Sequence, residues 1–212
     1  MSVLQQLNNV GIVPVVVLDS AESALPLARA LLAGGINVME ITCRSNAAYD
    51  SIKSVSNNCP EMIVGAGTII NSEQCMSVIA AGAKFIVSPG LNKDIVKCAQ
   101  ELSVDVIPGA VTPTEIMQAL NLGLKTVKFF PAETFGGVTA IKSLAAPFAN
   151  VSFMPTGGIN ESNLQNYLSC KNIIAVGGSW ICDKKLLAKT DFSTITSLAQ
   201  KAVNVCSKFR SI

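Results

Sequence analysis

Short apolar runs rich in Val and Ile recur at regular intervals along this chain, each followed by a segment of helical periodicity. After a short N-terminal helix, strands are predicted over 12–18, 38–43, 62–66, 85–88, 105–108, 126–130, 151–155 and 173–176. Amphipathic stretches over 20–33, 71–81, 92–101 and 113–121 lie between them, and several open on a helix-capping residue: Asp19 or Ser20, Asn71 or Ser72, Asn92, Thr112. Near-continuous apolar strands alternating with helices indicate a parallel sheet covered on its outside. Eight such β/α units in 212 residues predict a single α/β domain over 1–212, a small (β/α)8 TIM barrel. An open doubly wound sheet is the alternative. It usually carries GxGxxG after its first strand, whereas this first strand runs into VVVLDSAES. No linker, repeat or low-complexity segment marks a second domain.

Only 14% of the residues are charged, against about 25% in an ordinary soluble domain. A barrel explains the shortfall, because both its interior and its helix-strand layer are apolar. Histidine is absent. That excludes Ser-His-Asp and Cys-His nucleophiles, imidazole acid/base chemistry and His-containing zinc sites. Proton transfer therefore falls to carboxylates, lysine, tyrosine, cysteine or water. A net charge of +2 with no basic run argues against nucleic acid and anionic membranes as partners. The longest charge-free stretches, 1–18 and 143–160, are broken by Gln, Asn, Gly and Pro, so neither supplies the roughly 20 apolar residues of a spanning helix. The N-terminus has no basic n-region or small-residue cleavage site, and a cytoplasmic location is expected. The seven cysteines (43, 59, 75, 98, 170, 182, 206) are scattered and never form CxxC. Reduced, mostly buried thiols and no metal are expected.

In a barrel, chemistry sits where the strands end. Two ionisable residues interrupt the apolar strands themselves: Glu40 in VMEIT and Lys128 in TVKFF. A lysine buried in a strand is desolvated, which favours the neutral amine, and a neutral amine attacks carbonyls to give a Schiff base. Otherwise Lys128 is an ordinary snorkelling or edge lysine. A carboxylate at Glu40 is costly unless paired or working. It is either an ion-pair partner of Lys128 or Arg44, or the proton shuttle that a histidine-free site requires. Arg44, one of three arginines, closes the second strand, where its guanidinium fork suits a carboxylate or phosphate. Two glycine-rich turns, PTGGIN (155–160) and VGGSW (176–180), follow the last two predicted strands. Barrels often hold phosphate there through backbone N–H groups. A phosphorylated carbonyl compound is the expected substrate.

Taken together, EITCR (40–44), IVGAGT (63–68), SPG (88–90), GLKTVKFFPAE (123–133), PTGGI (155–159) and GGSW (177–180) resemble the bacterial 2-keto-3-deoxy-6-phosphogluconate (KDPG) and 4-hydroxy-2-oxoglutarate (KHG) aldolases. The match runs in order from VPVVV to GGSW, and the lysine segment is its most specific part. The resemblance implies a homotrimeric class I aldolase on a (β/α)8 barrel, needing no metal or organic cofactor. It assigns the imine lysine to Lys128 and the acid/base glutamate to Glu40. It puts Arg44 and Thr68 on the pyruvyl carboxylate, with Pro89 in the matching SPG turn. It links Thr156 to stereochemical preference and Gly157, Gly158, Gly178 and Ser179 to the phosphate. One position departs from the pattern: Cys43 stands where the family usually has Leu or Phe. Strand alternation turns Cys43 away from Thr42 and Arg44, so a packing change with little effect on chemistry is expected.

The substrate implied is KDPG, split to pyruvate and glyceraldehyde 3-phosphate, with KHG, split to pyruvate and glyoxylate, as a second. The galactonate epimer of KDPG is an alternative substrate. A sugar-phosphate epimerase using Lys128 and Glu40 without an imine is a rival reading, and a non-catalytic binding barrel is another.

Overall fold

A computed structural model describes residues 2–210. Helix α1 (Val3–Val10) opens on a capping box between Ser2 and Gln5 and stops at Gly11, whose φ of 75° turns the chain into strand β1 (Ile12–Val16). Strand and helix then alternate: α2 (Ala24–Ala33), β2 (Val38–Thr42), α3 (Ala48–Asn58), β3 (Ile63–Gly67), α4 (Ser72–Ala80), β4 (Phe85–Val87), α5 (Lys93–Glu101) and β5 (Asp105–Ile107). The second half continues with α6 (Pro113–Asn121), β6 (Thr126–Phe129), α7 (Gly137–Ala145), β7 (Ser152–Pro155), α8 (Leu164–Leu168), β8 (Val176–Gly178), α9 (Lys184–Ala188) and α10 (Phe192–Cys206). No helix among the described residues is long and apolar enough to cross a membrane.

The strands form a curled six-stranded parallel sheet in the order β5-β4-β3-β2-β1-β8, and a two-stranded parallel sheet of β6 and β7. The first strand lies between the second and the last, with no reversal of order of the doubly wound kind. Isolated parallel bridges join the two sheets. Gly109 pairs with Lys128 on one side, and Phe153 with Ile173 and Thr156 with Gly177 on the other. Strand β2 is buried along its whole length, as a parallel strand covered on both faces must be.

The capping signals act locally as expected. Asn71, Asn92 and Thr112 accept from backbone N–H groups of α4, α5 and α6, and Glu115 completes a capping box on α6. Ser20, rather than Asp19, caps a single 3-10 turn over Ala21–Ser23 before α2 begins. Pro26 then lies in the first turn of α2, where its missing N–H does no harm. The eighth strand differs more. It lies over Val176–Gly178 instead of 173–176, because its ladder to β1 pairs Ile12 with Val176, Val13 with Gly177 and Pro14 with Gly178. Ile173 makes only its single bridge. The apolar run marked what is buried, but the hydrogen-bonding register put both glycines inside the strand rather than in a turn after it.

Candidate active site

The carboxyl ends of the strands enclose a cavity of about 260 Å³, room for one small organic molecule. Strand β2 sends Glu40 and Thr42 into its wall, and Arg44 follows on the same side, as two-residue alternation dictates. Val15 comes from β1. Thr68 and Pro89 follow β3 and β4, Lys128 and Phe130 come from β6 and the residue after it, and Thr156 to Ile159 follow β7.

Lys128 is held by its backbone on both sides. Its N–H donates to Pro108 O (2.8 Å), its carbonyl accepts from Ala110 N (2.9 Å), and it is in register with Met154 of β7. The residue is 5% exposed, with Nζ 3.6 Å from Glu40 Oε1 and 5.0 Å from the centre of the Phe130 ring. Glu40 is fully buried, and neither carboxylate oxygen takes a hydrogen bond from a described protein group. A buried carboxylate with one ion-pair contact is an expensive arrangement for stability alone. Gly67, in register with Thr42 on the neighbouring strand, makes the room for it: a Cβ there would collide with the Glu40 carboxylate. Beside this pair the Thr156 hydroxyl is also buried, with no partner among the described protein groups.

Two further groups are held ready. Thr42 Oγ1 donates to Val16 O (2.9 Å) and accepts from Arg44 Nε (3.5 Å), which steers the guanidinium. Thr68 adopts φ 60°, a left-handed conformation that is strained for a β-branched residue and is characteristic of functional positions. Among the described residues no three His, Cys, Asp or Glu side chains cluster as a metal site would need.

One cavity thus gathers Lys128, Glu40, Arg44, Thr68, Pro89, Thr156, Gly157, Gly158 and Ser179. Gly178 is the exception. Because it lies within β8, alternation gives the cavity Gly177 and Ser179 instead, while Gly178 packs against the Trp180 ring. Val15, Thr42, Phe130, Ile159 and Gly177 also line the wall. Apolar or small residues in an apolar run carry no signal of their own. For Phe130 one existed, since it stands two residues after Lys128 and shares its face.

Cys43 lies outside this cavity, half-buried in a separate shallow hollow with Tyr49 and Gln74. Burial lifts its thiol to about 11. Burial likewise raises Cys75, further lifted by Cys98, to about 12, and Cys206 to about 11. None of the cysteines is in a disulfide. Thiols so placed stay protonated at neutral pH and are poor nucleophiles. Cys43→Leu is therefore expected to leave kcat and KM at wild-type values in a steady-state assay; a loss of tenfold or more would put Cys43 in the working site.

The model of the family described as KDPG and KHG aldolase matches residues 3–198. A KHG/KDPG aldolase of Escherichia coli (strain K12) is 45% identical over 192 residues, 91% of this chain and 90% of that protein. A crystal structure of KDPG aldolase from Legionella pneumophila, with pyruvate captured as a covalent carbinolamine intermediate, superposes with a TM-score of 0.91 at 38% identity, covering 94% of this chain and 97% of that one. The KDPG aldolase of Zymomonas mobilis ZM4 with 3-phosphoglycerate gives 0.90 at 39%, covering 99% and 97%. With Lys128 and Glu40 side by side in one cavity and this extent of likeness, the chain belongs to the KDPG and KHG aldolase family.

Proposed function

We propose that this protein is a class I aldolase cleaving KDPG to pyruvate and glyceraldehyde 3-phosphate, and KHG to pyruvate and glyoxylate. The observation that carries the reading is the buried Lys128–Glu40 pair, 3.6 Å apart in the wall of the cavity. Lys128, as the neutral amine, adds to the C2 ketone, and the carbinolamine loses water to leave an iminium. That cation is the electron sink for breaking C3–C4. Glu40 takes the proton of the C4 hydroxyl as the aldehyde departs, then returns it to C3 of the enamine. Water adds to the resulting iminium, pyruvate leaves and the amine is regenerated. Glu40 suits this part because neither of its oxygens has a hydrogen-bond partner among the described protein groups.

Arg44 and Thr68 hold the pyruvyl carboxylate in this reading, and Pro89 bounds that end. Thr156 reads the C4 configuration. Gly157, Gly158 and Ser179 face the phosphate, with Gly177 taking the place expected of Gly178. Arg44→Lys, which keeps the charge but loses the fork, should raise KM about tenfold with kcat little changed. Steady-state kinetics on either substrate check this, and an unchanged KM removes Arg44 from the carboxylate.

The fold reading is one closed (β/α)8 barrel domain, supported by the bridges at Gly109–Lys128 and Thr156–Gly177 between the two sheets. A homotrimer is the assembly the family resemblance implies. Exposed Ile70, Met76, Met117 and Phe135 supply apolar surface for it, and sedimentation equilibrium measures it. Free, mostly buried thiols suit a cytoplasmic setting, which localisation of a tagged chain tests.

The direct test of the reaction is borohydride reduction in the presence of pyruvate, followed by peptide mapping. A reduced adduct on the peptide carrying Lys128 is expected. No adduct, or one on another lysine, overturns the assignment. An epimerase leaves none.

A further inference from the structure

The turn after β7 is held from behind by residues outside the cavity. Gly157 and Gly158 have φ of 102° and 77°, and without side chains they have little of their own to fix that shape. On one side, Ala132 N donates to Thr156 O (2.8 Å) and Glu133 N to Gly157 O (3.1 Å). On the other, Asn163 Nδ2 donates to Gly158 O (3.2 Å). The Glu133 side chain lies across Gly158, where a Cβ would come within 2.6 Å of Glu133 Cγ. The Glu133 carboxylate in turn accepts a hydrogen bond from the Tyr167 hydroxyl, whose ring is 1% exposed on α8. Burial, and then the Glu133 carboxylate itself, push the Tyr167 hydroxyl well above its ordinary range, so it stays a donor at every physiological pH. Neither residue lines the cavity or takes part in the carbon chemistry.

We propose that Glu133 and Tyr167 form a positioning pair for the Gly157–Gly158 turn and thereby set affinity for the phosphate end of the substrate. This rests on the functional reading above, which faces that turn to the phosphate. The physical effect is tethering: the hydrogen bond ties α8 to the segment after β6 whose N–H groups hold the turn, so losing it lets the backbone donors wander.

The test compares KDPG, which carries a phosphate, with KHG, which does not. Tyr167→Phe should raise KM for KDPG about three- to tenfold, with KM for KHG and both kcat values unchanged and the melting temperature recorded alongside. Glu133→Gln, which keeps an oxygen for Tyr167, should remain close to wild type. Glu133→Ala should reproduce the KDPG-selective rise, and serves also if Tyr167→Phe folds poorly. Equal rises for both substrates, or no rise for KDPG, overturn the proposal. Wild-type protein inert toward both substrates would refute the aldolase reading instead, so the two failures are separable.

Discussion

Lys128→Ala is expected to carry no mass adduct after borohydride treatment with pyruvate, and to lose turnover by about 10⁴-fold or more. Among the described residues no second lysine lines the cavity to take its place. The substitution also strips a fully buried carboxylate of its ion pair, which costs about 3–5 kcal/mol when an isolated charge is left inside. Loss of activity alone would therefore be ambiguous. The double variant Lys128→Ala/Glu40→Gln resolves this by removing the orphaned charge. It should recover most of the lost melting temperature while remaining inactive and untrappable. Residual turnover in either variant, carried by a folded protein, would mean that the reaction does not pass through an imine at Lys128.

Glu40→Gln separates the two halves of the chemistry. The side chain keeps its shape beside Gly67 and can still hydrogen-bond, but it no longer accepts a proton. Imine formation with pyruvate should persist, so borohydride still marks Lys128. Cleavage should slow by about 10²–10⁴-fold, the usual contribution of a positioned acid/base group. Exchange of the methyl protons of pyruvate with solvent, which needs the same group at C3, should slow in parallel. A variant that turns over at the wild-type rate would leave Glu40 as an ion-pair partner only.

The candidate site was legible in the sequence to an unusual extent because the chain holds so few charges. In apolar strands, Glu40 and Lys128 stand out as the two groups that burial alone would not retain. Arg44 directly follows a predicted strand, where a parallel α/β fold places its ligands, whereas Thr68 was singled out by the family resemblance. What escaped the sequence depended on register. The pair Gly177–Gly178 looks the same as a turn or as the end of a strand, and only the pairing of β8 with β1 turned Gly177 to the cavity and Gly178 to Trp180. Phe130 was missed among other apolar residues, although its place two residues after Lys128 put it on the same face. Tyr167 gave no signal at all, because its partner Glu133 lies on a different element and the two meet only across the turn.

Local physics determined the elements. Period and capping are encoded within a few residues, so the alternation of strands and helices, the caps at Asn71, Asn92 and Thr112, and the burial of Val- and Ile-rich runs could all be read directly. Distances between elements are not encoded that way. That Glu40 on β2 and Lys128 on β6 approach to 3.6 Å, that Gly67 opens space for the carboxylate, and that Thr68 turns left-handed beside it depend on how parallel strands stagger against one another. The stagger is set by packing and hydrogen bonds summed over the whole sheet, and no single segment of the sequence carries it.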